Sequence, residues 1–177
     1  MSIFFNNKAQ TLINLNLKKA KIPKLKKIKF SSYFKNKKNI LQKISSNFKD
    51  EKIAIRSSFD NEDTIKTSNA GKYESYLNVK SNDHNDINNK ITRLSKLKRN
   101  SHHEYFFIQK MVSNVSFSGV VLTRNLENYA KCININFFNG NNTEAVTSGK
   151  KETKSLLFFE NDKHEIPKKF LSLYLSI

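Results

Sequence analysis

The sequence has one cysteine, two prolines, four glycines and no tryptophan. A lone Cys132 excludes an internal disulfide and fits a reducing compartment. Histidine is also scarce. His102 and His103 are adjacent, so on a strand they would face opposite ways, and His84 and His164 stand alone. With one thiol and no ligand spacing, a zinc site is not expected. No apolar run approaches the roughly 20 residues of a membrane span. The opening MSIFFNNKAQ lacks the basic start and apolar core of a signal peptide. A cytoplasmic protein with no membrane partner is expected. Acidic residues are few as well, and Asp50 is the only one in the first fifty positions.

What the sequence does have is positive charge, formally +17 over 177 residues. Such a surplus suits an anionic partner such as nucleic acid, nucleotide or membrane. Composition offers a plainer account of most lysines, because Lys, Asn, Ile and Phe are all abundant and share AT-rich codons. Solvated charge usually has no specific partner. Hydrophobic residues make up 37%, enough for a core but not a generous one.

There is no internal repeat. Residues 8–18 read as a helix with Leu12, Leu15 and Ala9 on one side, broken at Ile22–Pro23. Residues 25–30 read as a short strand. Ile40, Leu41, Ile44 and Phe48 recur at helical spacing over 37–48, and Ile87, Ile91 and Leu94 over 84–98, behind N-cap candidates Asn82 and Asp83. Strands are expected at 53–57, 73–79, 104–112, 116–124, 131–138 and 155–160. Within 131–138, Ile133, Ile135 and Phe137 alternate with Asn134 and Asn136, so one face is buried and the other carries two amides. Phe170, Leu171, Tyr174 and Leu175 mark a C-terminal helix. The pattern is α+β with a hairpin-rich antiparallel second half.

Two stretches carry candidate chemistry. In IAIRSSFDNEDTIKTSNAGKYESYLNV, residues 53–79, Arg56 ends a strand and is followed by Ser57 and Ser58. A strand end holds a guanidinium in place, and its planar fork suits phosphate oxygens. Ser57, Ser58, Ser68 and Gly71 offer hydroxyls and backbone N–H groups to the same anion. The plain alternative is a surface loop capped by an ion pair from Arg56 to Asp60, Glu62 or Asp63. In IQKMVSNVSFSGVVLTRN, residues 108–125, a strand with Gln109, Met111 and Val112 leads to a second strand ending at Arg124, and Met111 and Val112 suit the lining of an adenine whose edge exposed backbone groups would read. Taken alone, an ordinary hairpin explains them. Cys132 lies in a strand, where a small buried thiol is the usual finding.

Together these segments resemble the nucleotide-binding domain of pyruvate phosphate dikinase and phosphoenolpyruvate synthase, which has an ATP-grasp architecture. NNKAQTL resembles that family's Gly-Gly-Lys-x-x-x-Leu start, and the 53–79 stretch its V-x-V-R-S-S…E-D…A-G-x-x-x-T-x-L-N-V block. IQKMV followed by SGVVLTRN resembles V-Q-x-M-V…S-G-V-x-F-T-R-[DN], and VTSG the later V-V-x-G. The similarity spans most of residues 5–150. It implies phosphate contacts from Arg56, Gly71, Arg124 and Lys8, and an adenine hinge at Gln109, Met111 and Val112. It implies ATP and Mg²⁺ as ligands, and a single ATP-grasp-like domain over 1–177, expected to be truncated. Within it, 1–100 would be a mixed α/β part with the phosphate loop, 101–162 antiparallel strands with the adenine hinge, and 163–177 the C-terminal helix.

Four departures temper the implied activity. The family's metal-binding carboxylate is replaced by Asn134 and Asn136, with Glu144 nearby in the next turn. Asn6–Asn7 stands for Gly-Gly, and NGNNTEAVTSG departs from G-L-G-E-x-V-V-x-G. No phosphohistidine domain is recognisable. The resemblance therefore implies a kinase- or transferase-like ATP-binding module, partial or inactive alone, which would pass phosphate to a histidine on another domain or a neighbouring chain. The alternatives are a basic RNA- or DNA-binding protein, although specific nucleic-acid binding is not expected, and a nonfunctional remnant.

Overall fold

The computed structural model describes residues 8–15, 21–59, 63–64, 67–68, 75–97, 104–149, 152–159, 167–168 and 170. Its architecture is α+β, with two larger antiparallel sheets. The chain divides into two compact units that meet in sequence at Met111 and Val112.

The first unit runs α1 (Lys8–Asn14), β1 (Leu25–Lys29), α2 (Phe30–Lys35), α3 (Lys37–Phe48), β2 (Lys52–Phe59), β3 (Asp63–Thr64), β4 (Thr67–Ser68), β5 (Ser75–Lys80), α4 (His84–Lys96) and β6 (Glu104–Lys110). Its main sheet has the order β1-β6-β2-β5, with every pairing antiparallel. Thus β6 belongs to this sheet, although the sequence grouping set it with the later strands.

Helices form where the sequence supplies a stripe. In α4, Asp83 accepts a hydrogen bond from the N–H of Asp86 and caps the helix. Asp86 lies in the first turn and Arg93 and Lys96 in the last, matching the helix dipole. Ile87, Ile91 and Leu94 of α4 join Leu41, Ile44 and Phe48 of α3 in one core with Ile53, Ile55, Phe106 and Ile108 of the sheet. The short α2 was not expected from sequence. It adds Phe30 and Tyr33, whose rings meet Phe106 at 5.0 and 5.6 Å.

β5 contains a bulge. Ile53 pairs with Val79 and Ile55 with Tyr76, so an extra residue sits between. Asn78 takes it up at φ 58°, a conformation that asparagine tolerates. Without the bulge, Tyr76 and Val79 would face opposite ways. With it, both pack on the core.

Tyr33 is fully buried and donates its hydroxyl to Asn88 Oδ1 at 3.1 Å. Burial pushes its pKa from 10 up to about 12. The unfolded chain then ionises first, so Tyr33's contribution is complete below pH 10 and is lost as pH rises toward about 12. Urea midpoints at about pH 9 and 11 are expected to fall further for the wild type than for Tyr33→Phe. Equal falls would mean that Tyr33 ionises alike in both states.

The second unit contains β7 (Phe117–Arg124), β8 (Lys131–Asn139), α5 (Ala145–Ser148) and β9 (Lys154–Phe159), with strand order β7-β8-β9. Ile135, Phe137 and Phe158 form its core with Phe170, flanked by Val121, Ile133 and Leu156. Of the expected C-terminal helix, Phe170 N–H donates to Pro167 C=O at 2.8 Å, and residues 171–177 lie outside the described residues. Gly119 lies opposite Phe137 in the ladder. A Cβ there would stand 2.4 Å from the Asn136 carbonyl oxygen, so only glycine fits this position of the SGV motif.

Candidate functional site

Strand register decides which side chains of the first sheet share a face, because directly opposed antiparallel residues point the same way. Three rows run across β1, β6 and β2 on the face away from α2–α4: Leu25–Gln109–Ala54, Lys27–Phe107–Arg56 and Lys29–Tyr105–Ser58. Arg56 and Lys27 thus flank the buried Phe107, and Gln109 stands two residues along β6. This face is partly roofed by α1. The Ala9 N–H donates to the buried Ser58 Oγ at 3.1 Å, and Lys27 Nζ donates to Gln10 Oε1 at 3.3 Å.

Three sequence candidates therefore come to one face. Lys8 begins the helix seated over Ser58, Arg56 lies two residues from Ser58, and Gln109 lies beside Ala54. Arg56 is half-buried, with its Nε out of solvent. Sequence reasoning missed Lys27. Its ammonium sits 4.1 Å from the Tyr105 ring centroid, close enough for a cation–π contact. The signal was the alternation of Leu25, Lys27 and Lys29, which has no meaning until β1 is paired with β6.

Other candidates are placed elsewhere. Gly71, Asp60 and Glu62 lie outside the described residues, as do His102, His103, His164 and Asn6–Asn7. The loop after β2 is described only at β3 and β4, which pair as a short hairpin. Ser57 faces the core side of β2, opposite Phe106, so it does not share the Arg56 face. The Met111 N–H extends the sheet by donating to Lys52 C=O at 2.9 Å. Val112, exposed, begins the second unit. His84 Nε2 lies 2.7 Å from Ser45 Oγ and ties α4 to α3.

In the second unit, Arg124 is exposed and donates from Nη1 to the Tyr129 C=O at 3.0 Å, closing the β7–β8 turn. The sheet face away from Phe170 carries Val120–Asn136–Ser155 and Leu122–Asn134–Leu157 as successive rows. The expected pair of amides does share one face. Asn134 Oδ1 accepts from Asn136 Nδ2 at 3.2 Å and from Ser155 Oγ at 3.1 Å. Those two bonds occupy both lone pairs of that oxygen. A hard divalent cation needs several free oxygens, preferably anionic, and these rows offer it no carboxylate. Glu144 is exposed in the turn before α5. Among the described residues, no three His, Cys, Asp or Glu side chains cluster as a metal site. The β8 amides do not fit a magnesium centre.

Among the described residues, no helix is long and apolar enough to cross a membrane. No curated protein matches the chain. A family model described as pyruvate phosphate dikinase, AMP/ATP-binding domain, matches residues 25–171. The match takes in β1 through the strands of the second unit and leaves Lys8 outside. Covering most of the sequence, it shows that the chain belongs to the pyruvate phosphate dikinase AMP/ATP-binding domain family.

Proposed function

We propose that the chain binds ATP through the face of the first sheet that carries Arg56, Lys27 and Gln109. The observation that carries this reading is the row Lys27–Phe107–Arg56. Two cations flank a buried ring on a rigid sheet, within a family named for AMP and ATP binding. Arg56 would take phosphate oxygens through its fork, and Lys27 would add a point charge. Gln109, with Met111 and Val112, would read the adenine, and Gly71 would let the backbone approach phosphate. Lys8 is the remaining phosphate candidate of this unit. Arg124 is the phosphate candidate of the second unit, considered by itself.

Magnesium would come as the companion of the triphosphate. Family chemistry would pass phosphate to a histidine on another domain or chain. With no carboxylate among the β8 amides, this chain is expected to turn over little by itself, since phosphoryl transfer depends on charge neutralisation and alignment. The architecture this reading favours is an ATP-grasp-like lobe, and the compartment the cytoplasm.

Calorimetric titration with ATP, and with an oligonucleotide of equal charge, at about 50 and 200 mM salt tests the reading. Oligonucleotide binding that rests on diffuse charge falls steeply over that range. ATP binding, resting on local contacts, is expected to fall far less. Label from γ-labelled ATP is expected to stay on the nucleotide. Tight, sequence-selective oligonucleotide binding at the higher salt, unaffected by ATP, would favour the nucleic-acid alternative.

A further inference from the structure

The nucleotide reading uses one face of the first sheet and leaves the lysines of the other face without a task. Lys26 and Ile28 alternate with Lys27 along β1, so their side chains point away from the Arg56 face. On α3, Ile40, Lys43 and Ile44 have the spacing that puts side chains on one stripe of a helix. Where that stripe meets Lys26 and Ile28 lies a groove of about 300 Å³. Ile28, Ile40 and Ile44 floor it, and Lys26, Lys43 and Ser32 rim it. The floor is buried or half-buried, and the three rim residues are exposed. Among the described residues no carboxylate lines the groove. Lys27 also borders it, but its ammonium lies on the other face, at the Tyr105 ring and Gln10.

We propose that this groove binds a small organic anion, an acidic head carried on a compact apolar body. The isoleucine floor takes the body, because covering it removes apolar surface from water. Lys26 and Lys43 take the head. Elsewhere in this unit, lysines beside an acceptor engage it: Lys24 Nζ donates to the Asn47 C=O at 2.8 Å, and Lys110 Nζ to Glu51 Oε1 at 2.5 Å. Among the described residues, no acceptor meets the ammonium of Lys26 or Lys43. Two cations without a counter-charge, set over an apolar floor, select a ligand that brings an anion and an apolar group together. Carboxylates and phosphate monoesters share this chemistry, and lysine takes either as a point charge on a flexible stem. A polynucleotide would use the lysines and leave the floor uncovered. The volume is at the small end of the roughly 300–1,000 Å³ of ligand pockets, which suits one ring with its head group better than a nucleoside triphosphate. The groove lies on the opposite face of the sheet from Arg56, so this site is separate from the nucleotide site.

The test is calorimetric titration of the full chain with phenyl phosphate and with phenylacetate. Inorganic phosphate supplies a head without a body, and benzyl alcohol a body without a charge. At least one of the two probes is expected to bind roughly tenfold or more tighter than either control, the gain from burying a ring. The tighter probe identifies the head. The double variant Lys26→Glu/Lys43→Glu is expected to weaken that probe roughly tenfold or more by setting like charge against like, and to leave benzyl alcohol unaffected. Ile40→Ser opens the floor and is expected to weaken the probe several-fold while leaving inorganic phosphate unaffected. Circular dichroism shows whether each variant is folded, and the charge variant, confined to the exposed rim, decides the matter if Ile40→Ser is not. Saturating ATP is expected not to displace the probe, because the two sites lie on opposite faces. Probes bound no tighter than inorganic phosphate overturn the proposal. So does tight binding that survives the charge variant, and so does displacement by ATP, which would put the probe on the nucleotide face.

Discussion

Arg56→Ala is expected to weaken ATP binding by about 1.5–3 kcal/mol, the worth of hydrogen bonds to charged groups, or roughly 10- to 150-fold. The size follows from where the side chain is held. β2 is an inner strand, between β6 and β5, and the residues around Arg56 from Ile53 to Ser58 are buried. The side chain therefore leaves a packed strand and is half-buried before any ligand arrives, which lowers the rotamer entropy to be lost on binding. Arg56→Lys keeps the charge but loses the planar fork, so its affinity is expected to lie between the two. Calorimetry on the three proteins, each shown to be folded by its melting curve, gives the comparison. Equal ATP affinity in wild type and Arg56→Ala would remove Arg56 from the site, and with it the row that carries the functional reading.

Most elements were legible because their periodicity is local. The 37–48 helix is observed as Lys37–Phe48, and the later strands match their expected positions within a residue or two. Each carries its own stripe or alternation, which needs no knowledge of partners. α2 was missed for the converse reason. FSSYFK contains weak helix formers, and tertiary contacts, the packing of Phe30 and Tyr33 on Phe106 among them, stabilise it. α1 ends at Asn14 as described, short of the expected 18, and residues 16–20 lie outside the described residues. The bulge at Asn78 was visible as an asparagine inside a strand pattern, but its consequence, turning Tyr76 and Val79 to one side, depends on the pairing with β2.

The site was less legible than the fold. Arg56 and Gln109 are far apart in sequence, and motif resemblance alone put them together. The register explains why they share a face: Ala54 lies opposite Gln109 and Arg56 opposite Phe107 on adjacent strands. Ser57 carried the same motif weight as Ser58, yet strand alternation sends it to the core side. Lys27 had no motif at all. Conversely, the amide face of β8 was read from alternation alone, and the hydrogen bonds to Asn134 Oδ1 add what no pattern shows, namely that this oxygen is already engaged.

Phe106→Ala is expected to destabilise the first unit by about 3–5 kcal/mol, the usual cost of removing a buried aromatic side chain. Phe106 is fully buried on a central strand and touches the rings of Phe30 and Tyr33. Both belong to α2, the helix with the weakest local reason to form. Truncation therefore opens a cavity and also removes the surface that holds α2 in place. Against a typical stability of about 5–15 kcal/mol, the loss is a large fraction of the whole. Phe106→Leu retains most of the volume, and a smaller cost is expected. Urea midpoints give both values. ATP binding offers the decisive second readout. Alternation along β6 turns Phe106 toward the helices and Phe107 and Gln109 toward the proposed nucleotide face. Under conditions where the variant is still folded, its ATP affinity is thus expected to stay within a few-fold of wild type. A variant that is fully stable but has lost ATP binding would mean that β6 presents its other face to the nucleotide, and the row of Lys27, Phe107 and Arg56 would have to be abandoned as the site.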